Sequence, residues 1–116
     1  MAEVIPVLPI AALGDGEMTR VTANGVDLMV CQVAGQFYAL ADRCSHARQA
    51  LSNGKLSGFE VRCPLHGARF DVRTGACKSP PATFPVKTFP VTLEGGKVWI
   101  AVSSDDKPPP PRFGPI

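Results

Sequence analysis

Residues Arg43 to Asp71 read RCSHARQALSNGKLSGFEVRCPLHGARFD and hold both histidines of the chain and two of its four cysteines. Each histidine follows a cysteine closely. The first pair is Cys44-Ser45-His46, the second Cys63-Pro64-Leu65-His66-Gly67, and 16 residues from Ala47 to Arg62 join them. Thiol and imidazole donors concentrated on two tight turns are what a metal centre requires, because short loops hold ligands where the metal needs them.

The sequence on either side of this stretch reads as antiparallel strands. Arg20-Val21-Thr22-Ala23 and Val26-Asp27-Leu28-Met29-Val30 flank Asn24-Gly25, a strong two-residue hairpin signal. The second run continues through Cys31-Gln32-Val33, turns at Ala34-Gly35-Gln36 and returns as Phe37-Tyr38-Ala39-Leu40. Near the C-terminus, Pro90 to Glu94 and Lys97 to Val102 flank Gly95-Gly96, predicting another hairpin. Inside the ligand stretch, Leu51 to Leu56 predicts a turn, Gly58 to Arg62 a strand entering the second loop, and Ala68 to Val72 a strand leaving it. No helical period of ten or more residues stands out. Cys31 falls in an apolar strand and reads as a small core residue; Trp99, in the last hairpin, also reads as core. Cys77, beside Lys78-Ser79-Pro80-Pro81, has no clear assignment.

A chain of 116 residues, with 45% hydrophobic and 19% charged residues, fits one domain with a buried core. Eleven glycines and twelve prolines favour short strands and turns. The net charge of +2 does not suggest nucleic acid. It is unevenly spread, however: between Asp42 and Lys78, seven basic residues face three acidic ones. No run approaches the roughly 18 to 20 apolar residues that span a membrane. The opening MAEVIPVLPIAALGDGE lacks a basic leader and is broken by Pro6 and Pro9, a poor export signal. The expectation is a reduced, cytoplasmic protein that uses cysteine as a metal ligand.

Two metal chemistries suit the ligands. Two thiolates and two imidazoles make a sound tetrahedral zinc site, which would imply a zinc-stabilised binding module. Zinc sites, however, usually group like ligands, cysteine with cysteine and histidine with histidine, whereas here each pair is mixed. A mixed pair on each loop suits a two-iron cluster in which cysteines from both loops bind one iron and histidines bind the other.

The pattern C44-S-H46 … C63-P-L-H66-G67 resembles the cluster-binding signature of Rieske proteins. VAGQFYALADRCSH resembles that family's approach to the first loop, ALSNGKLSG the segment between loops, and GARFDVRTGACKSPPATFPVKTFPV the strand and proline loop behind the second. With the final hairpin, the likeness covers most of residues 4 to 102. It implies an all-β Rieske fold: an antiparallel β-sandwich scaffold carrying a small cluster-binding subdomain of two ligand loops. Residues 1–103 would form one domain, with the subdomain at about 42–82, and 104–116 a proline-rich tail.

Within the family, the chain is similar to soluble Rieske ferredoxins of bacterial ring-hydroxylating dioxygenase systems. That likeness implies one [2Fe–2S] cluster with Cys44 and Cys63 on the inner iron and His46 and His66 on the outer, reducible one. It implies an electron carrier rather than an enzyme, working between a flavin-containing ferredoxin reductase and a terminal oxygenase. Docking is expected near His46, His66, Leu65 and Arg48, with neither nucleic acid nor membrane as partner. Gly67 would let backbone N–H groups approach the cluster, and Pro80 and Pro81 would shield it. High-potential relatives carry an extra cysteine in each loop, at positions held here by Gln49 and Leu65. They also place a serine and a tyrosine where this chain has Ala68 and Phe70. Without those hydroxyl donors, the potential is expected near the low end of the Rieske range, on the order of −150 mV. A Rieske-like small subunit of a nitrite-reductase-type enzyme is the other reading within the fold.

Overall fold

At Asn24-Gly25 the backbone enters the left-handed region twice, with φ of 52° and 76°, and folds β2 (Met18–Ala23) onto β3 (Val26–Val33). The turn also reaches across the molecule, because Asn24 Nδ2 donates to the Val102 carbonyl at 2.8 Å. A second turn at Ala34-Gly35 joins β3 to β4 (Gln36–Ala41). Both hairpins lie where the sequence predicts them. The computed structural model describes residues 3–43, 50–64, 68–78 and 85–103.

Three antiparallel sheets form. The middle one has the order β2-β3-β4-β8, with β8 at Thr88–Phe89. An outer sheet runs β1-β10-β9, from β1 (Glu3–Pro9), β9 (Val91–Glu94) and β10 (Lys97–Val102). A small sheet on the other side joins β5 (Lys55–Ser57), β6 (Glu60–Arg62) and β7 (Arg69–Asp71) in sequence order. Among the described residues, helical structure is confined to single 3-10 turns at Ile10–Ala12 and Leu51–Asn53. None is long and apolar enough to cross a membrane.

β3 explains the layering. Side chains alternate faces along a strand, and here both faces are covered. Leu28 and Val30 pack in a core with Val98, Ile100 and Val102 of β10. Met29, Cys31 and Val33 pack in a second core with Leu40, Val61, Phe70 and Val72. This is why the sequence from Leu28 to Cys31 is a continuous apolar run instead of an alternating one. Each large side chain so buried contributes about 1.5–3 kcal/mol. Cys31 is the core residue the sequence predicts: burial pushes its thiol up to about 12, so it is uncharged at neutral pH.

Two features depart from the sequence reading. The proline-broken N-terminal stretch forms β1, paired with β10 from Glu3↔Val102 to Pro9↔Lys97. Proline cannot donate to a ladder and is confined to edges and bulges. β1 is an edge strand, and its register shifts between Pro6 and Leu8. Trp99 is half-buried, not in the core, and its indole N–H donates to the Glu94 carbonyl at 3.0 Å.

Candidate metal centre

The second ligand loop starts where β6 ends. Cys63 is 1% exposed and packs in the core shared by the middle and small sheets. Its backbone N–H donates to the Ala68 carbonyl at 2.7 Å, closing the base of the loop just before β7 begins. Ala68 and Phe70, expected from the sequence to stand where high-potential relatives carry hydroxyl donors, are fully buried and carry no side-chain polar atom.

The first ligand loop leaves from β4. Asp42, its side chain fully buried, accepts from the Ser52 backbone N–H at 2.7 Å and from Ser52 Oγ at 2.6 Å. Those two bonds pin the outgoing and returning ends of the loop together. Asp42 also donates its own N–H to the Asp27 carbonyl at 3.0 Å and lies 3.4 Å from Arg20 Nε. The returning chain then passes close to β6. A Cβ on Gly54 would collide with the Arg62 carbonyl, so glycine is required where the two loop bases meet.

The proline loop is tied in the same way. Lys78 N–H donates to the Arg69 carbonyl at 2.7 Å, and Val86 N–H to the Gly75 carbonyl at 2.8 Å. Gly75, at φ 78°, could not carry a Cβ without striking the Val86 carbonyl. Beside it, Arg73 forms an ion pair with Asp71 at 2.9 Å and lies 4.2 Å over the Phe59 ring. The Arg73 guanidinium holds the Asp71 carboxyl below the ordinary carboxylate range. Thus three connections, 43–51, 64–67 and 79–84, spring from the small sheet or its border with β4. The ends of the first two are hydrogen-bonded to one another, and those of the third to Arg69 and Gly75.

Of the four ligands the sequence predicts, Cys63 is described. Cys44, His46 and His66 lie outside the described residues, as do Arg48, Gln49, Leu65, Gly67, Pro80, Pro81 and the 104–116 tail. Cys63 fits a cluster ligand: it is a buried thiol on a tied hairpin, flanked in sequence by Arg62 and close to Arg69. A thiolate ligand at that place would need compensating positive charge, which a bound iron would supply. Cys77 sits half-buried against the same core and bridges to Phe70. The ties that sequence reasoning missed, Asp42 with Ser52 and Asp71 with Arg73, join polar residues that carry no periodic signal.

Comparison with known proteins identifies the family. Residues 3–90 match the Rieske [2Fe–2S] domain family. The ferredoxin component of biphenyl 2,3-dioxygenase from Rhodococcus jostii (strain RHA1) is 48% identical over 88 residues, 76% of this chain and 82% of that protein. The ferredoxin of carbazole 1,9a-dioxygenase from Nocardioides aromaticivorans IC177 superposes with a TM-score of 0.83 at 33% identity, covering 86% of this chain and 98% of the other. A chain from the complex of reduced oxygenase and oxidized ferredoxin in carbazole 1,9a-dioxygenase superposes with a TM-score of 0.81 at 37% identity, covering 84% and 92%. With the sequence match, the three-sheet fold and the buried Cys63 hairpin in agreement, the chain belongs to the Rieske [2Fe–2S] family and carries one cluster of that type.

Proposed function

We propose that this protein is the ferredoxin of a bacterial aromatic-ring dioxygenase system, carrying single electrons from a flavin-containing reductase to a terminal oxygenase. It is a carrier rather than a catalyst of ring oxidation. The observation that supports this most is coverage. The likeness takes in 82% and 98% of two proteins that are themselves ferredoxin components of dioxygenases, and one solved structure pairs such a ferredoxin with its oxygenase. The cytoplasm, where thiols stay reduced, suits the proposed ligands.

The proposed ligands are Cys44 and Cys63 for the inner iron and His46 and His66 for the outer one. Held there, a cluster would supply reversible one-electron chemistry. The protein's part is to hold the donors, exclude water and tune the potential. Cys63 contributes a buried thiol fixed by its bond to Ala68. Ala68 and Phe70 offer the cluster no hydroxyl, which supports a low potential, on the order of −150 mV. Docking is proposed around His46, His66, Leu65 and Arg48, through brief contacts below about 1,200 Å².

EPR of the dithionite-reduced protein tests the cluster assignment. A rhombic spectrum with an average g-value below that of an all-cysteine cluster, in a protein holding two irons and two acid-labile sulfides, is the expected result. Loss of that signal in His46→Cys and His66→Cys proteins that still bind iron would confirm the imidazole ligands. An iron-free protein containing one zinc would overturn the proposal.

A further inference from the structure

We propose that the outward face of the small sheet is a docking surface for an acidic patch on a redox-partner protein, centred on Lys55, Arg62 and Arg69. This rests on the electron-carrier function proposed above. In the ladder, Lys55 pairs with Arg62 and Arg62 with Arg69, so three cations stand in one row across three strands. Adjacent strands are roughly 4.8 Å apart, so the row spans roughly 10 Å. The intervening side chains Leu56, Val61 and Phe70 turn into the core, which leaves the row on the solvent side. All three cations are exposed.

Like charges directly opposite one another destabilise a sheet, and here Lys55 faces Arg62 and Arg62 faces Arg69. The neighbouring row holds two carboxylates: Glu60, 3.7 Å from Arg69, and Asp71, buried and paired with Arg73. Among the described residues, Lys55 and Arg62 form no ion pair. With Ser57 and Glu60, the three cations line a concavity of about 230 Å³. The other basic residue of this region with a defined partner, Arg73, is held by Asp71 and Phe59 instead.

The size of the row selects the partner. A nucleic-acid surface calls for roughly 6–10 phosphate contacts, and a polybasic membrane patch for about 4–8 cations. Three cations on a chain of net charge +2 match neither. They do match two or three carboxylates on a protein surface, where complementary charge speeds encounter and fixes orientation. The position matches too. Arg62 and Arg69 are the immediate chain neighbours of Cys63 and Ala68, whose hydrogen bond closes the second ligand loop. A partner held on this row is held beside that loop.

The test is stopped-flow electron transfer with the holoprotein, its reductase and its terminal oxygenase, following each half-reaction separately across ionic strength. Lys55→Glu and Arg62→Glu are compared with Lys97→Glu, a control of equal charge change on β10 in the outer sheet. Lys55 lies away from the ligand pairs in sequence, so its variant remains informative if Arg62→Glu loses the cluster. The expected result is a roughly tenfold slower second-order rate at low salt in one half-reaction for Lys55→Glu and Arg62→Glu. That difference should close to under about twofold at high salt, while Lys97→Glu stays near wild type. Equal slowing by Lys97→Glu, or unchanged rates in the row variants, overturns the docking surface alone. A wild-type holoprotein that exchanges electrons with neither partner overturns the carrier function, and the surface with it.

Discussion

β3 buries Val26, Leu28, Met29, Val30, Cys31 and Val33 between two cores. By contrast, β5, β6 and β7 run three residues each and send one side chain apiece into the core: Leu56, Val61 and Phe70. The middle of the molecule is held by apolar burial shared over long strands. The small sheet is too short for that and depends on a few polar ties: Asp42 to Ser52, Cys63 to Ala68, Lys78 to Arg69 and Val86 to Gly75. The comparison teaches a separation of tasks. Bulk stability resides in the scaffold, while loop positions are set by single bonds whose loss costs little globally and much locally.

Two probes can test that separation in one protein. Trp99, the only tryptophan, lies on β10 in the scaffold, so its fluorescence reports scaffold unfolding. Visible absorbance reports the cluster. Leu28→Ala, which empties a fully buried site between the middle and outer sheets, should cost about 2–5 kcal/mol. Because the scaffold underlies everything else, both signals should be lost together at a lower urea concentration. Cluster loss at an unchanged midpoint would contradict the idea that the small sheet leans on the scaffold.

Asp42→Ala should separate the two signals. It removes the acceptor of the Ser52 backbone N–H and hydroxyl, and leaving such groups unsatisfied costs about 1–3 kcal/mol. That loss falls at the base of the first ligand loop. The expected outcome is faster bleaching of the visible bands at a fixed temperature, with a tryptophan transition that moves far less than in Leu28→Ala. Equal shifts in both probes would show that Asp42 supports the scaffold as a whole.

The same contrast governs what the sequence discloses. Asn24-Gly25, Ala34-Gly35 and Gly95-Gly96 mark their hairpins because positive φ selects these residues wherever the chain turns tightly. Apolar runs mark the strands between them. β1 is hidden because two prolines usually argue against a strand, and only its place at an edge accommodates them. The candidate ligands are legible by residue type, since few other uses bring cysteine and histidine so close together twice. The ties beneath them are not legible: Asp42 and Ser52 look like any loop residues until the fold brings them together. The cationic row is hidden for a related reason. Lys55, Arg62 and Arg69 become neighbours only through the register of three strands.

The smallest expected effect concerns Phe70, the residue where scaffold core and proposed cluster environment meet. Its ring is fully buried with Val61 and Val72, and it pairs with Val61 on β6 and bridges to Cys77. Phe70→Tyr adds a single hydroxyl at its far end. If that end faces the cluster, the new donor stabilises the reduced, more negative state. A net hydrogen bond of about 0.5–1.5 kcal/mol then raises the potential by roughly 20–60 mV for a one-electron couple. Protein-film voltammetry reads the shift, and urea unfolding run alongside separates the two environments. A higher potential with little change in the tryptophan transition places the hydroxyl beside the cluster. An unchanged potential with lower stability places it among apolar side chains, where an unsatisfied hydroxyl is costly. Phe70 would then belong wholly to the scaffold, and the low potential would have to come from elsewhere in the loops.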